Sequence, residues 1–149
     1  MLKQGDRVFY TDNNRSLRSE YCKIAKKTIV DLGLIPYYYT GIDLKTEGSS
    51  LDTEIRDDFY SAKVVILVLG KDKKWRDIED NWVIPELPFA IKQGIKFLIY
   101  TTNPLIEEEI KRLPVKPFFI EGQEHFKNTL RADLEHLGIE KKPEDSTAF

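Results

Sequence analysis

Apolar positions along this chain switch between two periods, and the regular alternation of those periods predicts its architecture. Five short runs rich in β-branched and aromatic residues, at 7–11, 35–40, 64–69, 96–101 and 117–120, read as strands. Between them the spacing becomes helical. Leu17, Tyr21, Ile24, Ala25, Thr28 and Leu32 recur on one face, with Ser16 as the N-cap and Gly33 as the stop. Leu51, Ile55 and Phe59 follow at four-residue spacing, and Ser49 with Asp52 fits a capping box. A short third helix is expected near Pro85 and Pro88, starting close to Glu86 and ending at Gly94. Pro104 opens a fourth, which carries Glu107, Glu108 and Glu109 where the helix dipole favours acids. The last helix, 124–137, places Phe126, Leu130, Leu134 and Leu137 on one side.

Strands alternating with helices in this way form βα units, and βα units make a parallel sheet with helices on both faces. The run Val64 to Leu69 is apolar without interruption, as a central parallel strand buried on both sides must be. The chain is therefore expected to be an α/β protein with a five-stranded parallel sheet.

Composition narrows the picture. At 149 residues, with 41% hydrophobic and 32% charged positions, the chain suits one core, expected over 1–139. Residues 140–149 are polar, include Pro143, and read as a tail or linker. No apolar run approaches the roughly 20 residues of a membrane span, and the first residues lack the pattern of a secretory leader, so a cytoplasmic protein without membrane partners is expected. Cys22 is the single cysteine, and His125 and His136 are the only imidazoles. No metal-ligand spacing arises from them, no metal is expected, and all three read as structural. A net charge of -2 without a basic block argues against nucleic acid as a partner.

In open α/β sheets, ligands bind beyond the carboxyl ends of the strands. The loops to inspect are therefore 11–16, 41–50, 70–81 and 101–104. No P-loop and no G-x-G-x-x-G fingerprint follows any strand, and no G-x-S-x-G elbow is present. The third strand ends in Leu69, Gly70 and Lys71, without the acid that a phosphate-accepting receiver domain needs there.

Two segments stand out: Asp43 to Gly48 after the second strand, and Asn81-Trp82-Val83-Ile84-Pro85-Glu86-Leu87 at the third helix. With Ile55 in the second helix and Ser61 ahead of the third strand, they fall in the order and spacing of a Toll/interleukin-receptor (TIR) domain. The chain resembles that family over about residues 6–137. The first strand end, RVFYTDNNRS, departs from the family pattern. Val83 stands where many members have cysteine, and prolines flanking Glu86 are uncommon.

The resemblance implies a flavodoxin-like, TIR-type sheet and NAD glycohydrolase or cyclase activity. It further implies a role in prokaryotic immune signalling, homo-oligomers formed through TIR–TIR contacts, and a partner domain or effector protein. NAD would be the substrate, with no separate cofactor. Glu86 would be the catalytic carboxylate. Nicotinamide leaves a pyridinium as a neutral ring, so one ionised acid suffices where ordinary glycosidases use two. Trp82 would pack beside the site. Thr11, Asn13, Arg15 and Asp43 would contact the nucleotide, with the planar fork of Arg15 suited to a diphosphate.

Simpler roles stay open for each residue. Glu86 can be an acid that complements a helix dipole, Trp82 a core aromatic, Asp43 a turn former, and Asn13 and Arg15 plain loop residues. Two other functions also remain: a non-catalytic TIR adaptor acting by homotypic assembly, and a nucleoside deoxyribosyltransferase-like enzyme, whose related sheet also sets a glutamate against a ribosyl carbon.

Overall fold

The computed structural model describes residues 2–12, 20–38, 53–69, 83–102 and 115–137. Among these, five strands and four helices follow in the order β1 (Arg7–Asp12), α1 (Glu20–Asp31), β2 (Ile35–Tyr38), α2 (Thr53–Ser61), β3 (Val64–Leu69), α3 (Val83–Lys92), β4 (Lys96–Thr101), β5 (Phe118–Phe119) and α4 (Gln123–His136). The sheet runs β2-β1-β3-β4-β5 and every pairing is parallel. This is the α/β architecture expected from the alternating periods, in the flavodoxin-like strand order.

Side chains on successive strand residues face opposite ways, and here both directions lead into a core. Phe9, Val65, Leu67, Phe97 and Ile99 pack on one face with Phe59 and Ala62 at the end of α2 and Leu87 and Ala90 of α3. Val8, Tyr10, Val64, Ile66, Val68 and Tyr100 pack on the other with Cys22, Ala25 and Ile29 of α1 and Phe126, Leu130 and Leu134 of α4. Val64 through Val68 are all buried, as the unbroken apolar run requires.

The buried stripe of α1 is displaced from the one its spacing suggests. Cys22, Ala25, Thr28 and Ile29 are the buried positions, while Tyr21, Ile24 and Leu32 flank them as partly buried contacts. Thr28 sits in this apolar stripe because its hydroxyl donates to the Ile24 carbonyl at 2.8 Å, which leaves its methyl for packing. The helix stops at Gly33, whose φ of 79° belongs to the left-handed region. There the Gly5 N–H donates to the Gly33 carbonyl at 2.8 Å and the Gln4 amide donates to Leu32 at 3.1 Å, tying the amino-terminal turn to the helix end.

At the amino edge of the sheet, an Arg7 guanidinium N–H donates to Ser61 Oγ at 3.2 Å, and the same cation lies 5.3 Å from the Tyr37 ring centroid. Ser61 in turn donates to the Asp58 carbonyl at 3.0 Å. The serine that matches the TIR pattern thus closes a helix and steadies a strand entry. On β2, the Ile35 N–H donates inward to the Asp6 carbonyl at 2.9 Å. By alternation the nitrogen of Pro36 faces the outer edge, where a missing N–H leaves no ladder bond unmade.

The other edge is shorter than the sequence suggests. Only Phe118 and Phe119 pair with Tyr100 and Thr101, in place of a strand over 117–120, although the Ile120 N–H still reaches the Thr101 carbonyl at 2.9 Å. α4 is held to β4 by polar as well as apolar contact. Tyr100 donates its hydroxyl to Asp133 Oδ2 at 2.6 Å, and its ring meets Phe126 edge-on at 5.2 Å. Burial first, then this hydrogen bond and the Asp133 charge, raise the Tyr100 phenol well above its ordinary pKa of 10.0. The expected segments at 13–19, 39–52, 70–82, 103–114 and 138–149, including the Ser16 cap, the Ser49 and Asp52 capping box and the helix opened by Pro104, lie outside the described residues. No described helix is long and apolar enough to cross a membrane.

Two outcomes follow from this packing. Phe126→Ala, which removes a fully buried ring contacted by both Tyr21 and Tyr100, should cost about 3 to 5 kcal/mol, read as a lower urea midpoint at unchanged slope. The raised phenol gives a pH effect of defined sign. Its stabilisation is complete below the unfolded pKa of about 10 and falls away as pH climbs above it, because the unfolded chain gives up the proton first. The urea midpoint should therefore drop above pH 10, and Tyr100→Phe should flatten that drop.

Candidate functional site

Each right-handed βαβ connection returns the chain to the start of the next strand, so the amino end of the intervening helix lies at the carboxyl end of the sheet. The sheet reverses its winding between β1 and β3, the crevice where such folds bind ligands. β3 leads to α3, and α3 leads to β4, which puts the first turn of α3 at that end.

α3 corrects the expected helix start. It begins at Val83, three residues before Glu86, and includes Pro85 in its first turn and Pro88 further in. Glu86 is thus the fourth helical residue and closes the first turn, and it does not stand at the outermost unpaired N–H groups. The early start is physically tolerable because Pro85 falls where an N–H has no partner within the helix. Pro88 has no such excuse: it removes the N–H that would bond the Ile84 carbonyl. What holds the helix there is burial of Leu87 and Ala90 against the sheet. The side chain of Glu86 lies outside the described residues, as do Asn13, Arg15, Asp43 and Trp82 entirely.

Thr11 is described, and it is fully buried at the carboxyl end of β1. Alternation from Phe9 puts its side chain on the α2/α3 face of the sheet, the face on which α3 lies. Thr101 closes β4 two residues beyond the register position of Thr11, on the same face as Ile99 and only 3% exposed. The register sets Thr11 beside Leu67 and Thr101 beside Leu69, so two buried threonines flank the end of the central strand on the side that carries Glu86. Thr101 was not a candidate in the sequence. The available signal was a threonine closing an apolar strand at the start of an inspected loop, which strand propensity explains equally well.

No protein-family model matches the sequence, and no curated protein matches it. Among solved structures, a 2-deoxyribosyltransferase from the psychrotolerant bacterium Bacillus psychrosaccharolyticus is similar over 83% of this chain and 90% of its own, at 14% identity and a TM-score of 0.45. At that level nothing of that enzyme's substrate transfers to the residues above.

Other features help to locate chemistry by contrast. Among the described residues, no group of three or more His, Cys, Asp or Glu side chains stands close enough to hold a metal. Cys22 is buried in the α1 stripe. His125 accepts the Glu121 N–H on Nδ1 at 3.0 Å, a turn-closing contact at the start of α4. A cavity of about 630 Å³ among Gln4, Val30, Asp31, Leu32, Gly33, Arg131 and Glu135 opens at the amino end of the sheet, away from the strand ends where ligands bind. A smaller one, about 440 Å³, lies at the carboxyl end beside β4 and β5.

The broken ladder of α3 is directly testable. Pro88 is exposed, so Pro88→Ala disturbs no packing and restores the N–H donor. It should stabilise the chain by about 1 to 3 kcal/mol in urea titration and slow amide exchange in the first turns of α3. A lower midpoint would mean that the helix depends on the proline's shape.

Proposed function

We propose that the chain cleaves an N-glycosidic bond at a ribosyl carbon, with the Glu86 carboxylate stabilising the positive charge that develops there. The observation that supports this is the backbone position of Glu86. It lies in the first turn of the helix that follows the central strand, at the carboxyl end of the sheet, on the face where Thr11 and Thr101 are buried. The macrodipole of α3 favours an ionised carboxylate in that turn.

Two substrate classes share the reacting carbon. In NAD, the class implied by the resemblance to TIR domains, the bond from C1′ to the pyridinium nitrogen breaks and its electron pair goes to the ring. Nicotinamide leaves neutral. The oxocarbenium-like carbon is held by the carboxylate until water adds and loses a proton, which gives ADP-ribose; capture by a ring nitrogen of the same molecule gives a cyclic product. In a 2′-deoxynucleoside the C1′–N bond breaks as the base takes a proton from solvent and a carboxylate oxygen bonds C1′; a nitrogen of the second base then displaces the carboxylate from C1′ and gives its proton back to solvent. Both routes use the same acid at the same atom, and the leaving group separates them.

The deciding experiment incubates the full chain, over a series of protein concentrations, with NAD and separately with a 2′-deoxynucleoside plus an acceptor base, and follows products by chromatography. Release of nicotinamide identifies the first class, and base exchange identifies the second. In either case Glu86→Gln should lower turnover by about 10² to 10³ fold with unchanged thermal melting, the usual cost of removing one charge-stabilising group. Equal turnover in the variant would remove Glu86 from the mechanism, and turnover of neither substrate at any concentration would leave assembly through TIR-like contacts as the function.

A further inference from the structure

We infer that the cavity at the carboxyl ends of β4 and β5 is a binding site for a flat heteroaromatic ring that carries hydrogen-bond donors and no negative charge. This site lies on the opposite face of the sheet from Thr11 and Thr101, and it does not depend on the activity proposed above. Thr102, just past the end of β4, lines it together with Tyr21 of α1, on the side of the sheet that α1 and α4 cover.

The cavity measures about 440 Å³ and is lined by Tyr21, Thr102, Phe119, Ile120, Glu121 and Gly122. That volume falls within the roughly 300 to 1,000 Å³ of small-molecule sites. Two aromatic side chains line it. Tyr21 is fixed from behind, with its ring edge-on to Phe126 at 5.5 Å, Phe126 edge-on to Tyr100 at 5.2 Å, and Tyr100 bonded to Asp133. Phe119 remains 43% exposed, so apolar ring surface is left without a covering group. An aromatic ligand gains from such surfaces by stacking or edge contact.

The polar groups choose among aromatic ligands. Glu121 supplies the one formal charge among the lining residues described, and Glu124 adds a second acid in the first turn of α4, so the attraction of that helix terminus for anions is already offset. The Glu121 N–H is taken by His125 Nδ1 and is not free for a ligand. Thr102 Oγ1 is enclosed and has no hydrogen-bond partner among the described residues. Because Thr102 lines the cavity, its hydroxyl is the unsatisfied polar group nearest a bound ring, and a change of χ1 rotamer is the motion by which the ring edge would satisfy it. Gly122, with φ at 152°, has nothing within 4 Å of the place a Cβ would take, so its backbone leaves that wall open. An amino or amide group meets an acceptor carboxylate here, whereas a carboxylate or phosphate meets repulsion.

Titration of the isotopically labelled full chain with nicotinamide, adenine and nicotinate tests this by NMR. Nicotinate has the ring of nicotinamide with an anionic substituent. Nicotinamide or adenine should shift the signals of Tyr21, Thr102, Phe119 and Gly122 with a Kd near 1 mM or tighter, and nicotinate should bind about tenfold more weakly. Binding should change the Thr102 χ1 population, read from its three-bond couplings. Thr102→Val, nearly the same shape, should weaken nicotinamide about three- to tenfold, and Glu121→Gln should bring nicotinate close to nicotinamide. Absence of shifts at these residues in the unaltered chain, or equal binding of nicotinate and nicotinamide by it, would overturn the assignment, whatever the result of the glycosidic assay.

Discussion

Burial of β3 on both faces is the constraint from which the rest of this structure follows. A strand with Val64, Ile66 and Val68 on one side and Val65 and Leu67 on the other is stable only if helices cover it twice. Two helix layers joined through parallel strands require crossovers, and crossovers of fixed hand gather helix amino ends and strand carboxyl ends at one edge. The polar crevice is therefore a by-product of the way the apolar surface is hidden. Chemistry placed there by any sequence draws on a rigid frame and on loops free to vary.

The two faces are not equivalent. The α1/α4 side is secured by long-range polar and aromatic contact, with the Tyr100 to Asp133 hydrogen bond and the Tyr21, Phe126 and Tyr100 rings linking three elements. The α2/α3 side relies on Phe59, set edge-on to Phe9 at 5.3 Å and to Tyr60 at 4.9 Å, and on a short helix whose hydrogen-bond ladder is interrupted by Pro88. An interrupted helix ladder opens at lower cost than a complete one, which suits a helix set beside a ligand site. That helix lies on the face with Thr11 and Thr101 and carries Glu86.

The sheet was legible in the sequence because its signals are local and redundant. The bounds of β3 and β4 match the apolar runs, and Gly33 ends α1 where its freedom at positive φ is needed. What escaped was set by tertiary packing. The buried stripe of α1 is centred on Cys22, Ala25 and Ile29, since the α4 side chains decide which flank of an amphipathic helix lies deepest. α3 starts before its prolines because sheet burial of Leu87 and Ala90 outweighs the cost of a missing bond. For the candidate site, Glu86 and Thr11 were singled out from motif and position, but the placement of Thr11 and Thr101 on one face, on either side of β3 and two residues apart in register, depends on strand pairing, which no single segment encodes.

The two margins of the sheet, over the described residues, share a property. Along β2 the outward nitrogens belong to Pro36, which offers no donor, and to Tyr38, and along β5 the described ladder is two residues long. Over the described residues, a neighbouring strand arriving at either margin finds few groups to bond. Contact between copies made through helix and loop side chains, in place of such a margin, is of a kind that dilution or a changed surface residue can reverse.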